Sequence, residues 1–147
     1  MLPEPPVFVV LDTNVPVSAL LKADSVPGRI VEAACDRRIT PVVSHDIWRE
    51  YIQVLSRARF GFGDRAHLLM ERLARVMVHC SPLNDGSALA RVRDPKDAPF
   101  YAAFASVRAA GNITYLVTGN LKHFPSDDFI VSPRALLDIL EQGNTQQ

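Results

Sequence analysis

The sequence predicts an α/β fold around a central, mainly parallel sheet, and three observations predict it. Val7–Leu11 is an almost wholly apolar run, of the kind buried on both faces of a parallel sheet. Thr114–Thr118 is a second such run. Along the rest of the chain, apolar stretches at helical spacing alternate with short strand-like ones, which is the pattern of βα units.

The elements follow in order. Residues 1–6 are a Pro-rich lead-in. The strand over 7–11 stops at Asp12, and Asp12-Thr13-Asn14 turns into a short helix over 15–21 that tolerates Pro16 in its first turn. After a loop at 22–27, Ile30, Val31, Ala33 and Ala34 mark a helix over 28–37. Residues 40–43 read as a short buried strand. Ser44 is placed to cap a helix running to about Ser56, whose apolar face includes Ile47, Trp48, Tyr51, Ile52 and Leu55. A loop at 58–63, with two glycines and two phenylalanines, leads to a helix capped by Asp64 and running to Arg75. A strand is expected at 76–78, and 81–96 is polar and irregular. Residues 97–110 form an Ala-rich helix, with Pro99 in its first turn and Gly111 and Asn112 at its end. The strand at 114–118, a loop at 119–128, a strand at 129–131 and a helix at 133–140 complete the chain. No repeat or internal boundary interrupts it, so one domain is expected over 7–141, with a polar tail at 142–147.

Composition narrows the classes. At 147 residues, 48% hydrophobic and 22% charged, the chain reads as globular and large enough for a real core. Sixteen basic and sixteen acidic residues balance, so any nucleic-acid site must come from local clustering. Cys35 and Cys80 are too few for a disulfide framework and belong to no Cys/His cluster. They read as buried thiols in a reducing compartment, with a single disulfide left open. There is neither a signal-peptide pattern at the start nor an apolar run long enough to span a membrane, so the cytoplasm is the expected location.

Acidic and amide side chains then stand out by position. Asp12 ends the first strand, where open α/β sheets place their ligands. Glu50 lies about two turns into an otherwise apolar helix. Asp97 opens the Ala-rich helix, and Asn120 follows the buried strand that ends in Thr118 and Gly119. Clustered carboxylates repel one another unless a cation compensates. A hard divalent ion such as Mg²⁺ or Mn²⁺ suits a few carboxylates in an open cleft, and phosphodiester hydrolysis is the chemistry it best serves. Each residue also has a plainer reading. Asp12 is as well suited to capping the next helix, Glu50 to a solvated helix face, Asp97 to the helix dipole and Asn120 to a turn.

The ordered set Leu11-Asp12-Thr13-Asn14, Val42-Val43-Ser44 through Trp48-Arg49-Glu50, Asp94-Pro95-Lys96-Asp97 with Ala102-Ala103, and Leu116-Val117-Thr118-Gly119-Asn120 resembles a PIN domain. It is most similar to the branch described as toxin components of prokaryotic toxin–antitoxin systems. The likeness extends through Lys122-His123-Phe124 to Ser132–Leu137. The resemblance implies a three-layer α/β/α PIN-like fold and Mg²⁺- or Mn²⁺-dependent endoribonuclease activity. It implies Asp12, Glu50 and Asp97 as metal ligands and Asn120 at a fourth position where many members carry Asp, which bears on one ion or two. It implies Thr13, Asn14 and Thr118 as orienting groups, with Asp94 as a substitute ligand. An antitoxin partner, and a homodimer or a toxin–antitoxin hetero-oligomer, follow from the same likeness.

Local basic clusters are the expected RNA contacts, with plainly solvated side chains as the other reading: Arg57 and Arg59 around Phe60 and Phe62, Arg91 and Arg93 before Asp94, and Lys122 with His123 after Asn120. Phe60 and Phe62 are expected to plug the core rather than stack on bases. His123 is expected to be structural or to contact phosphate. A phosphatase on a similar sheet would need a second Asp two residues after Asp12, where this chain has Asn14. A catalytically silent RNA- or partner-binding domain is the alternative from another class.

Overall fold

A computed structural model of the chain describes residues 4–145. Residues 1–3 of the lead-in and 146–147 of the tail lie outside the described residues. Five strands form one sheet: β1 (Val7–Leu11), β2 (Thr40–Val43), β3 (Val78–His79), β4 (Ile113–Val117) and β5 (Ile130–Val131). Their spatial order is β3-β2-β1-β4-β5, and every neighbouring pair is parallel. β1 and β4 run in register from Val7 opposite Ile113 to Leu11 opposite Val117. Both central strands therefore finish at the same level, at Asp12 and Thr118.

Six helices connect and cover the strands: α1 (Asn14–Leu21), α2 (Val26–Cys35), α3 (His45–Leu55), α4 (Asp64–Val76), α5 (Ala98–Ala109) and α6 (Pro133–Thr145). α2 packs with α1, α4 and α6, while α5 lies on β1 and β4 and meets α3. This is the expected three-layer α/β/α arrangement. The apolar runs of β1 and β4 are buried because helices cover both faces. Val9, Val10, Leu116 and Val117 have no exposed surface, and Phe100 and Phe104 of α5 are buried with them. Phe62 is buried and Phe60 is packed against the core, as expected of them.

The chain builds outward from β1 through β2 to β3, then crosses to β4 and β5 on the other side. The strand order reverses between β1 and β4, and open α/β sheets bind ligands in the crevice at that switch point.

Local chemistry explains where element ends differ from the sequence reading. α2 starts at Val26, not 28, because Ser25 is the cap: its hydroxyl accepts from the Gly28 amide at 3.1 Å. Asp64 lies in the first turn of α4 rather than capping it; Gly63, at φ 54°, takes the cap position. α4 keeps winding through Val76, so β3 begins at Val78. A 3₁₀ turn, Pro95–Asp97, precedes α5. The final helix runs to Thr145 rather than Leu140, carrying part of the polar segment with it. Cys35 and Cys80 are both free thiols. Among the described residues, no helix is long and apolar enough to cross a membrane.

Candidate active site

Asp12 stands at the centre of the switch-point crevice. It is buried, and its carboxylate accepts three hydrogen bonds. The Thr13 amide donates to Oδ1 at 2.8 Å. The Asn14 side-chain amide and the Thr118 hydroxyl donate to Oδ2 at 3.1 and 2.7 Å. The helix-cap reading of Asp12 fails on this geometry, because Thr13 occupies the cap of α1 and Asp12 bonds across the sheet to β4's end. Burial raises the Asp12 carboxyl above its ordinary value, and the bonds from Thr118, Thr13 and Asn14 work against that rise.

Thr13 links Asp12 to the next acid. Its amide holds Asp12 while its hydroxyl donates to Glu50 of α3. Glu50 reaches this edge because Ser44, directly after β2, caps α3: the Ser44 hydroxyl accepts from the Ile47 amide at 3.3 Å. Tyr51, the next residue, donates its hydroxyl to the Leu11 carbonyl at 2.5 Å and so pins α3 to the end of β1. Burial, together with the charges of Asp12 and Glu50, pushes the Tyr51 phenol strongly upward. The sequence marks Tyr51 only as part of an apolar face. The signal for its second role is that a buried phenol needs a partner.

Asp97 approaches from the other side. Its carboxylate makes no cap bond to α5 and instead meets His123 Nδ1 at 3.2 Å. Burial and the neighbouring Asp12 charge raise the Asp97 carboxyl, while His123 pulls it down. Asp12 and Asp97 are thus close enough to feel each other's charge.

Asn14 closes the crevice on the β4 side. Its side-chain oxygen accepts from the Gly119 amide at 3.1 Å while its nitrogen donates to Asp12. Thr118 is fully buried; its hydroxyl accepts from the Asn120 amide at 2.9 Å and donates to Asp12. Asn120 itself is exposed, and its backbone rather than its side chain joins this network. Asp94, expected as a substitute ligand, caps the 3₁₀ turn by accepting from the Lys96 amide at 3.0 Å.

The expected basic residues divide into two groups. Arg93 and Lys122 are exposed beside the acidic edge, and the Arg93 amide donates to the His123 carbonyl, which ties their two loops together. Arg57 lies just past the end of α3, two residues after Leu55. It borders an apolar cleft of about 710 Å³ between α3 and α4. Arg59 stacks on Phe60, 4.9 Å from the ring centroid. Among the described residues, neither of the two makes a hydrogen bond or ion pair with Asp12, Glu50 or Asp97.

Among the described residues, no three His, Cys, Asp or Glu side chains stand close enough to form a ready-made metal cage. The donor set nevertheless suits a hard divalent ion. Mg²⁺ is held through one or two carboxylates and keeps several waters, so it needs no closed protein cage. Two mutually repelling carboxyls with a single imidazole beside them are a pair that a cation would relieve.

No curated protein and no solved structure matches the chain. A family model described as PIN domain matches residues 8–122, a span that contains Asp12, Glu50, Asp97, Thr118 and Asn120. PIN domains are in general nucleases that use divalent metal ions. With its central parallel sheet and most of its length matched, the chain belongs to the PIN-domain family.

Proposed function

We propose that this protein is a metal-dependent endoribonuclease, the toxin half of a toxin–antitoxin pair. The observation that carries the nuclease reading is Asp12: a buried carboxylate at the switch point, held by three hydrogen bonds and within reach of Glu50 and Asp97. A structural carboxylate is better served by a cationic partner, whereas this one is kept in place at the expense of its own ionisation.

Asp12, Glu50 and Asp97 would hold Mg²⁺ or Mn²⁺. When bound, the ion supplies a polarised water and neutralises charge at the scissile phosphate. The chain's own groups do the rest. Thr118, Asn14 and Thr13 fix the direction of the Asp12 carboxylate, and Tyr51 fixes α3 and with it Glu50. His123 orients Asp97. Arg93, whose backbone bonds to His123, and Lys122, the residue before His123, are both exposed and suit the flanking phosphates. Arg57 and Arg59 would meet RNA only along a longer path. With Asn120 exposed at the fourth position, the site favours one tightly held ion. The toxin role, an antitoxin partner, a homodimer or hetero-oligomer and a cytoplasmic location rest on the resemblance carried by the Asp12-Thr13-Asn14 and Val117–Asn120 segments.

Asp12→Asn tests the proposal: the purified variant, folded by circular dichroism, should lose RNA cleavage in Mg²⁺. Cleavage at the wild-type rate would remove Asp12 from the site. The silent-domain reading draws on one observation, the lack of a preformed three-residue cage. A silent domain would neither cleave RNA nor bind Mn²⁺.

A further inference from the structure

A second cleft opens beside the acidic edge. It has a volume of about 370 Å³, at the small end of ligand pockets. Ser44 and Cys80, the residues that follow β2 and β3, lie at its base, so it occupies the carboxyl edge of the outer strands. One wall is the first turns of α5, at Ala98, Pro99 and Ala102. Asp97 stands between two of the lining residues, Pro95 and Ala98. The opposite wall is the start of α3, at His45 and Asp46. Asp46 precedes Glu50 by four residues and shares its helix face. The cleft is therefore lined by chain neighbours of two of the three acids, on the β2 and β3 side of the sheet, while Glu50 and Asp97 themselves stay outside its lining. The loop after β3 closes it with Leu83 and Leu89, both exposed.

The chemistry of the lining is mixed in a specific way. The walls are largely apolar, while His45, Asp46 and Asn84 place polar groups among them. Among the described residues, none of these three side chains has a hydrogen bond or ion pair within the protein. Apolar faces with a few unengaged polar groups suit a splayed-out base, which is gripped on its faces and read along its edge. A carboxylate only accepts hydrogen bonds, so Asp46 favours a base edge that presents an amino group, as cytosine does and uracil does not.

The geometry points to this cleft as a nucleobase subsite next to the scissile phosphate, with Asp46 selecting an amino-bearing base. The assignment rests on the nuclease reading for its place along an RNA strand, but mononucleotide binding tests it without cleavage. Wild-type protein should bind cytidine monophosphate about fivefold or more tighter than uridine monophosphate by NMR titration, with resonances of Asp46, Asn84 and Ala102 moving. In Asp46→Asn the side-chain amide can donate to the uracil carbonyl, so the ratio should fall to about one or invert. Ala102→Phe, which fills the cleft, should weaken both nucleotides at an unchanged melting temperature. Equal affinities in wild type, an unchanged ratio in Asp46→Asn, or no saturable binding would each overturn the assignment. An Asp46 that serves only the α3 dipole would lower the melting temperature and leave the ratio alone. Failure of wild type to cleave RNA would sink the nuclease reading and leave these affinities as they are.

Discussion

At the residue scale, the site depends on one buried hydroxyl. Thr118 donates to Asp12 and accepts from the Asn120 amide, with no surface exposed. Thr118→Val keeps its shape and removes both bonds, leaving a buried carboxylate and a backbone amide short of partners. We expect a loss of about 1–3 kcal/mol in chemical denaturation and a fall in RNA cleavage. Cleavage at the wild-type rate with that stability loss would make Thr118 structural only. Asp12 gives a prediction of opposite sign. Its carboxyl is raised above 3.8 in the folded state, so the folded protein binds a proton more readily than the unfolded chain. The resulting stability deficit is fully present above the raised value and disappears as the pH falls below 3.8. Wild-type stability should therefore gain on that of Asp12→Asn as acid is added, measured by denaturation across that window. A difference that widens in the other direction would mean that Asp12 is held charged by a partner.

At the element scale, one glycine and one serine set the starts of two helices, α2 and α3, and α3 carries Glu50. A Cβ at Gly28 would fall 2.1 Å from the Ala23 carbonyl oxygen, which is backbone and has no flexible end to move. Gly28→Ala should cost roughly 1–3 kcal/mol or more by forcing α2 away from the loop after α1, read as a lowered denaturation midpoint. Ser44→Ala should cost about 1 kcal/mol through the lost α3 cap and reduce cleavage further by loosening Glu50. The strands over 7–11 and 40–43 are legible in the sequence to the residue, because each apolar run ends sharply at Asp12 or Ser44. Helix ends are less legible. The cap of α2 comes from Ser25 in the preceding loop, and that of α4 from a glycine with positive φ, and neither signal is hydrophobic periodicity.

At the scale of the whole molecule, an all-parallel sheet with a reversal between β1 and β4 gathers residues from four parts of the chain at one edge. That convergence is legible in the sequence because Asp12, Asp97 and Asn120 stand at element boundaries and Glu50 interrupts an apolar helix. The links between them are not. The Thr13 bridge to Glu50, the Tyr51 bond to Leu11 and the cleft beside Asp97 depend on how α3 and α5 lean on the sheet. The proposed function requires that this edge bind a divalent cation through Asp12. Calorimetric titration of Mn²⁺ into wild type and Asp12→Asn is its most direct test. Saturable binding by wild type that is lost in the folded variant is expected; no binding by wild type, or equal binding by both, would contradict the claim.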